Sequence, residues 1–235
     1  MAKLKMTASV VSQAQLAEGI YDLRLKAPEI ASQAAAGQFV SVYSKDGSRL
    51  LPRPISLCGI DKEAGQLRLV YRVAGAGTEE FSALKAGDTV DILGPLGNGF
   101  SLLEGKKAFL IGGGIGIPPM LQLAKELCAL NGSEMVQSVI GYRDSQLFLK
   151  DEFEAYGPVY TATEDGSRGT KGNVLNAIRE NGLTADVIYA CGPTPMLRAL
   201  KAYAAENNIQ CWISLEEKMA CGVGACLACV CQSKE

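Results

Sequence analysis

Residues 108–120 read AFLIGGGIGIPPM. The apolar run Ala108–Ile111 has the length of a short buried strand. Gly112, Gly113, Gly114 and Gly116 then form a tight turn. Pro118 and Pro119 suit the first turn of a helix, where no N–H is required, and the helix is placed over Pro118–Ala129. A strand that runs through glycines directly into a helix is the unit from which parallel sheets are wound. The same glycines would let the backbone approach a pyrophosphate, with the N–H groups and positive dipole of the helix end behind it. Ile117 occupies the place of the third glycine in G-x-G-x-x-G, so the turn departs from that fingerprint. A tight turn without a ligand is the competing reading.

Downstream, the alternation continues. Strands at Met135–Tyr142, Val159–Thr163, Val187–Ala190 and Cys211–Ser214 interleave with helices near Lys150–Ala155, Lys171–Glu180 and Thr194–Glu206. This pattern implies a doubly wound parallel sheet with helices on both faces. Cys191-Gly192-Pro193 follows one of these strands and opens another helix. Ligand crevices in open α/β sheets lie at the C-terminal ends of strands, so this turn and the 112–116 turn could face one ligand from two sides. Cys191 taken alone reads equally as a buried structural thiol.

Upstream, residues 1–103 change character. Short alternating or β-branched segments occur at Ala8–Gln15, Ile20–Ala27, Gln38–Tyr43, Leu67–Val73 and Thr89–Leu93, punctuated by Gly, Asp and Pro. They imply an antiparallel β barrel or sandwich, interrupted by a short helix at Glu79–Leu84. Three parts are therefore expected: a β domain over 1–103, an α/β domain over 104–214, and a C-terminal segment over 215–235 too short to fold alone. Within the β domain, Arg53-Pro54-Ile55-Ser56 carries a guanidinium and a hydroxyl. An extended strand is expected to present both on one face, the arginine to clamp phosphate and the serine to bond a heterocycle. Gly75-Ala76-Gly77-Thr78 precedes the short helix and offers N–H groups and a hydroxyl. A surface arginine beside a turn is the alternative for the first motif.

The C-terminal segment holds Cys221, Cys226, Cys229 and Cys231 in the run MACGVGACLACVC. The first three follow C-x4-C-x2-C, the opening spacing of a plant-type [2Fe–2S] site, and Gly222 and Gly224 suit a loop wrapped closely round inorganic sulfide. A four-cysteine zinc site is the competing reading, although zinc usually pairs C-x2-C with a distant second pair. The remaining cysteines are scattered, a distribution that fits cytosolic metal binding better than a disulfide framework. The chain has no histidine, which excludes a Rieske centre, a Cys2His2 zinc site and any histidine-based triad. If the chain is an enzyme, bound cofactors carry the chemistry. With 23 basic and 25 acidic residues and no long basic run, nothing points to nucleic acid. The apolar stretch from Ala108 to Leu130 is broken by glycines, prolines, Lys125 and Glu126, so no membrane span is expected. The N-terminus lacks the apolar core of a signal peptide, and a cytoplasmic location is expected.

The order RPIS, GAGT, GPLGNGF, GGGIGIPPM, CGPTPM and CGVGACLACVC resembles the ferredoxin-reductase superfamily over essentially the whole chain. Within it, the pattern is most similar to the family of electron-transfer subunits of dihydroorotate dehydrogenase B. That resemblance implies a flavin-binding barrel, with FAD held by Arg53, Pro54, Ile55 and Ser56, by Val70, Tyr71 and Arg72, and by Gly77 and Thr78. Arg53 would pair with the pyrophosphate and Ser56 would sit near the flavin ring. NAD would lie at Gly112, Gly113, Gly114 and Gly116 and at Cys191, Gly192 and Pro193. The cluster ligands would be Cys221, Cys226 and Cys229. The partner implied is an FMN-containing dihydroorotate dehydrogenase catalytic subunit, in a heterotetramer of two plus two. Electrons would pass through the cluster and FAD to NAD+, in pyrimidine (UMP) biosynthesis. Other flavin–iron–sulfur complexes, of the sulfide dehydrogenase, ferredoxin–NADP transhydrogenase or hydrogenase type, would use the same parts with a different partner. A zinc-stapled nucleotide-binding module is the non-enzymatic alternative. The resemblance implies a fourth ligand at a cysteine further downstream; a truncated sequence is therefore expected, the alternatives being that Cys231 substitutes or that the cluster is lost or labile.

Overall fold

The computed structural model describes residues 3–231. Its first half is a closed six-stranded antiparallel barrel of β1 (Leu4–Ala17), β2 (Ile20–Lys26), β3 (Phe39–Val42), β4 (Arg53–Asp61), β5 (Gln66–Arg72) and β6 (Thr89–Leu96), in the order β1-β2-β5-β4-β3-β6. Period-two alternation decides what lies inside. Leu23 and Leu25, Val40 and Val42, Ile55 and Leu57, Leu67 and Leu69, and Val90 and Ile92 all enter one core. Closure runs through the long β1, whose first half (Leu4–Ser9) pairs with β6 and whose second half (Ser9–Ala17) pairs with β2. Two short helices join this unit. The first, α1 (Pro28–Ala31), buries Ile30 and Ala31, and the second, α2 (Ala76–Ser82), buries Phe81.

The second half is a six-stranded parallel sheet. Its strands are β7 (Ala108–Gly113), β8 (Val136–Tyr142), β9 (Val159–Thr163), β10 (Thr170–Lys171), β11 (Val187–Cys191) and β12 (Gln210–Ser214), in the order β10-β9-β8-β7-β11-β12. Four helices, α3 (Ile117–Asn131), α4 (Lys150–Phe153), α5 (Val174–Glu180) and α6 (Thr194–Glu206), connect them. The central strands β7 and β11 are buried at every position, as strands covered on both faces must be. Phe109, Ile111, Val139, Ile188 and Ala190 form one core with the apolar faces of α5 and α6. The chain winds outward from β7 first toward β8 and then, after crossing back, toward β11. The gap between β7 and β11 is therefore the topological switch point.

The described residues of 1–98 and of 216–235 form one compact unit, and 99–215 form a second. Side chains explain why Gly99–Leu103 pack with the sheet rather than the barrel. The buried Tyr189 hydroxyl donates to Ser101 O at 2.8 Å and accepts from Leu103 N at 3.3 Å, and its ring meets Phe100 edge-on at 5.5 Å. Two local expectations are corrected. Beyond the extended Arg53–Ser56 motif no strand is expected as far as Asp61, where Gly59 masks the alternation, yet β4 runs from Arg53 to Asp61 and pairs with both β3 and β5. A helix was expected from Lys171, but Thr170 and Lys171 pair with β9. The helix starts only at Val174, where the Asn173 side chain accepts from Leu175 N and Asn176 N at 3.0 and 3.2 Å.

Candidate functional site

In the barrel, the β4–β5 ladder runs from Leu57↔Leu69 to Asp61↔Gln66, whereas Arg53–Ser56 pair across β3 instead. The strands thus part where Arg53–Ser56 and Val70–Arg72 would otherwise face each other. Arg53 turns toward α2, donating to Leu51 O. A Cβ on Gly77 would lie 2.7 Å from Arg53 Nε and 3.1 Å from Nη2. Gly77 is therefore glycine because the guanidinium occupies the space of its side chain, and two motifs separated in sequence meet as one positively charged cradle.

The expectation that Arg53 and Ser56 share a face is corrected. They are three positions apart, so a period of two puts them on opposite faces. Arg53 shares parity with buried Ile55 and Leu57, while Ser56 shares it with exposed Pro54. Thr78 is also engaged otherwise than expected. Its hydroxyl accepts from Ala74 N and Gly75 N at 2.9 and 3.3 Å and donates to Gly75 O at 2.9 Å, closing the turn rather than facing outward. Val70 and Tyr71 are buried and Arg72 is exposed. Tyr71 belongs to the barrel core, stacked at 6.0 Å on Tyr21 and donating to Gln13 Oε1 at 3.2 Å, with burial pushing its hydroxyl pKa up.

Two residues outside every sequence motif fix the orientation of α2. The Gln13 amide donates to Phe81 O, Ser82 O and Leu84 O at 2.9–3.0 Å, closing the carbonyl end of the helix. Glu80 gathers the 44–49 loop, accepting from the Ser44 hydroxyl, from Lys45 N at 2.7 Å and from Arg49 Nη1 at 2.5 Å. Burial pushes the Glu80 carboxyl up. The Ser44, Lys45 and Arg49 contacts outweigh it and hold the pKa below the ordinary carboxylate value. Neither residue had a sequence signal, because their partners lie up to 71 positions away.

In the sheet unit, the two glycine turns do come together. Cys191 pairs with Gly112 across β7 and β11. A Cβ on Gly116 would lie 2.3 Å from Cys191 O and 2.6 Å from Gly192 N, and one on Gly113 would meet Met196 Sδ at 2.7 Å and Pro193 Cδ at 3.0 Å. Gly114 has φ +54° with open space around its Cβ position. Neither α3 nor α6 has a side-chain cap, in contrast to α5. Two open positive helix ends thus converge on the switch point, the arrangement that receives a dinucleotide's phosphates. Cys191 is buried, and its backbone carbonyl stands where a Gly116 side chain would be.

The cysteine loop packs with the barrel. Gly222 and Gly224 take left-handed φ values of +69° and +82°. This winding brings Val223 N and Cys226 N each to 3.4 Å from Cys221 Sγ. The Cys226 and Val223 amides, then the Cys226 side chain and the Ala225 amide, outweigh burial and hold the Cys221 thiol down at about 6. Such N–H···S bonds favour the thiolate that an iron ligand must be. Among the described residues no three Cys, Asp or Glu side chains converge as a metal-sized group, so the loop offers its thiols without a closed cage. Cys231 points elsewhere, its Sγ 3.5 Å from Glu217 Oε1. The thiolate chemistry fits an iron–sulfur cluster, the Arg53–Gly77 cradle fits FAD, and the paired turns fit NAD.

Sequence comparison bears on all three regions. Residues 7–100 match the oxidoreductase FAD-binding domain, 110–202 the oxidoreductase NAD-binding domain, and 216–235 the iron–sulfur cluster binding domain of dihydroorotate dehydrogenase B. The dihydroorotate dehydrogenase B (NAD(+)) electron transfer subunit of Geobacillus sp. (strain WCH70) is 45% identical over 95% of this chain and 88% of its own length. That of Bacillus caldolyticus is 47% identical over 95% and 87%.

The chain belongs to the dihydroorotate dehydrogenase B electron transfer subunit family. Among solved structures, a chain from a study of the NADH-dependent reduced ferredoxin–NADP oxidoreductase superposes with a TM-score of 0.85. It is 32% identical and covers 94% of this chain and 80% of its own. Membership accounts for the ferredoxin-reductase architecture of barrel plus parallel sheet, and for an oxidoreductase subunit that binds FAD, NAD and an iron–sulfur cluster. No helix among the described residues is long and apolar enough to cross a membrane.

Proposed function

We propose that this chain takes electrons from an FMN-containing dihydroorotate dehydrogenase catalytic subunit, through a [2Fe–2S] cluster and FAD, to NAD+ in UMP biosynthesis. The observation that carries the reading is 45–47% identity to electron transfer subunits of that enzyme across 95% of the chain. When bound, the cluster handles single electrons, FAD links them to two-electron chemistry, and NAD+ leaves as NADH. The protein's part is to hold and orient. Arg53, seated over Gly77, would clamp the FAD pyrophosphate, and the segments Arg53–Ser56 and Val70–Arg72, where β4 and β5 no longer pair, would hold the rest of the cofactor. Ser56, on the outward face of β4, contacts the ring. The 112–116 and 191–193 turns hold the NAD phosphates between the open ends of α3 and α6. Cys221, Cys226 and Cys229 ligate the cluster. Dihydroorotate is oxidised on the partner, consistent with a chain that has no histidine to serve as a base. The assembly is a cytoplasmic heterotetramer of two plus two, a compartment in keeping with eight cysteines of which none is in a disulfide.

A second reading rests on the 32% identity to the ferredoxin–NADP oxidoreductase chain, and the higher identity above sets it second. Reconstitution separates them. The purified chain with a catalytic subunit, both flavins present, is expected to reduce NAD+ when dihydroorotate is added. No rate in that complex overturns the proposal, and a rate with reduced ferredoxin and NADP+ in its place establishes the second reading.

A further inference from the structure

The cysteine loop is tied to the barrel by residues that no motif includes. Lys3 Nζ donates to Val223 O at 2.8 Å, a contact spanning 220 positions of sequence. Next to it, the space where a Gly222 side chain would stand is lined by Ser41 Oγ at 3.0 Å and Leu96 Cδ1 at 3.1 Å. These three anchors come from neighbouring strands. Lys3 precedes the Leu4↔Gly94 pair of β1 and β6, Leu96 ends β6, and Ser41 pairs with Leu93 of β6. One end of the barrel therefore cradles residues 222–223, the same turn whose Val223 N–H points at Cys221 Sγ. Lys3 also brings a cation to a stretch, Met219–Ser233, that has no charged side chain of its own.

We propose that Lys3 is a positioning residue for the iron–sulfur loop, holding the 222–224 turn that aims N–H groups at Cys221 and placing positive charge beside the cluster. The inference rests on the cluster reading above. Reduction adds negative charge, so a nearby cation stabilises the reduced cluster, and its removal lowers the midpoint potential. The contact is exposed, so the effect is modest and shrinks as salt rises.

The test uses the full chain in complex with its catalytic subunit, prepared anaerobically, with cluster and flavin potentials read by spectroscopic redox titration. In Lys3→Met, iron, sulfide and FAD contents are expected to match the parent. The cluster's one-electron reduction equilibrium shifts threefold to tenfold toward the oxidised form, about 28–59 mV. The FAD potential stays in place, and Lys3→Arg restores the cluster value. Gly222→Val, which would push against Ser41 and Leu96, is expected to lose iron to a chelator several times faster than the parent. An unmoved cluster potential in Lys3→Met overturns the proposal whatever Gly222→Val does, since φ +69° strains valine there on its own, and it leaves the cluster reading intact. Absence of iron and sulfide from the unsubstituted protein overturns both.

Discussion

Gly116→Ala is the sharpest perturbation the structure offers, because its effect is separable from backbone preference. Gly116 sits at φ −80°, ψ −5°, a region open to alanine. Only space forbids the substitution. The new Cβ would lie 2.3 Å from Cys191 O and 2.5 Å from its carbonyl carbon, against 3.4–4 Å for ordinary contact, so the two turns must separate by about an ångström. The obstructing atoms are backbone at the end of a central, fully buried strand, so no rotamer change relieves the clash. A misplacement of that size costs roughly a hundredfold in a positioned site, about 2.7 kcal/mol. Overpacking adds about 1–3 kcal/mol of destabilisation. At about 2–4 °C per kcal/mol for a chain of this size, the thermal midpoint is expected to fall by several degrees. The assay is NADH-dependent reduction of an artificial acceptor, with KM and kcat separated, alongside FAD absorbance and a thermal melt. The expected result is a large rise in the nicotinamide KM with FAD content retained. Gly114→Ala is the control: φ +54° costs about 1–2 kcal/mol but nothing obstructs the side chain, so the turns stay together. A Gly116→Ala protein with parental KM and melting temperature would refute the claim that the two turns form one site.

Three further perturbations follow from the barrel. Gly77→Ala pushes the Arg53 guanidinium off α2 and is expected to weaken FAD by about ten- to hundredfold, the worth of one charged hydrogen bond, in a fluorescence titration; parental affinity would mean that Arg53 does not hold the pyrophosphate. Gln13→Leu takes one donor from three carbonyls at the end of α2, of which Phe81 O keeps Leu84 N at 3.1 Å, and should cost about 1–3 kcal/mol in urea unfolding, with weaker FAD retention. The third concerns pH. The Glu80 pKa is held down in the folded protein, so its anchoring of the 44–49 loop is complete above the unfolded value of about 4.3 and is lost as pH falls through the lower folded one. Hydrogen-exchange protection of the Lys45 amide should follow that loss, and Glu80→Gln should abolish the pH dependence.

The two architectures were legible because each has its own period. Apolar residues at every second position built the barrel interior, and unbroken apolar runs entering glycine turns built β7 and β11. The failures have equally local causes. Pro54 and Gly59 interrupt β4 so that its alternation is lost, although it pairs with β3 over Arg53–Ser56 and with β5 over Leu57–Asp61. At Thr170–Lys171 the helical pattern was extended too early because Asn173, the cap, is a weaker signal than the apolar residues after it.

The site was legible as pieces and not as a geometry. Several motifs stand out by their glycines, but glycine records only that something approaches, not what. At Gly77 the approaching group is Arg53, 24 positions earlier; at Gly116 it is the Cys191 carbonyl, 75 positions later; at Gly222 it is the barrel's own Ser41 and Leu96. The parity error at Arg53 and Ser56 shows the same limit. Clamping and ring contact were placed on one face as if the two residues stood two positions apart, yet they stand three apart and the strand puts them on opposite faces. Arg53 can reach outward only by leaving the barrel interior at its rim, and α2 provides the place where it does so. The residues that orient α2, Gln13 and Glu80, are ordinary polar side chains whose importance exists only once the barrel has closed. A ligand set can thus be read from the sequence, but its alignment depends on long-range packing. Substitutions at Gln13 and Glu80 should therefore weaken flavin binding without touching the flavin.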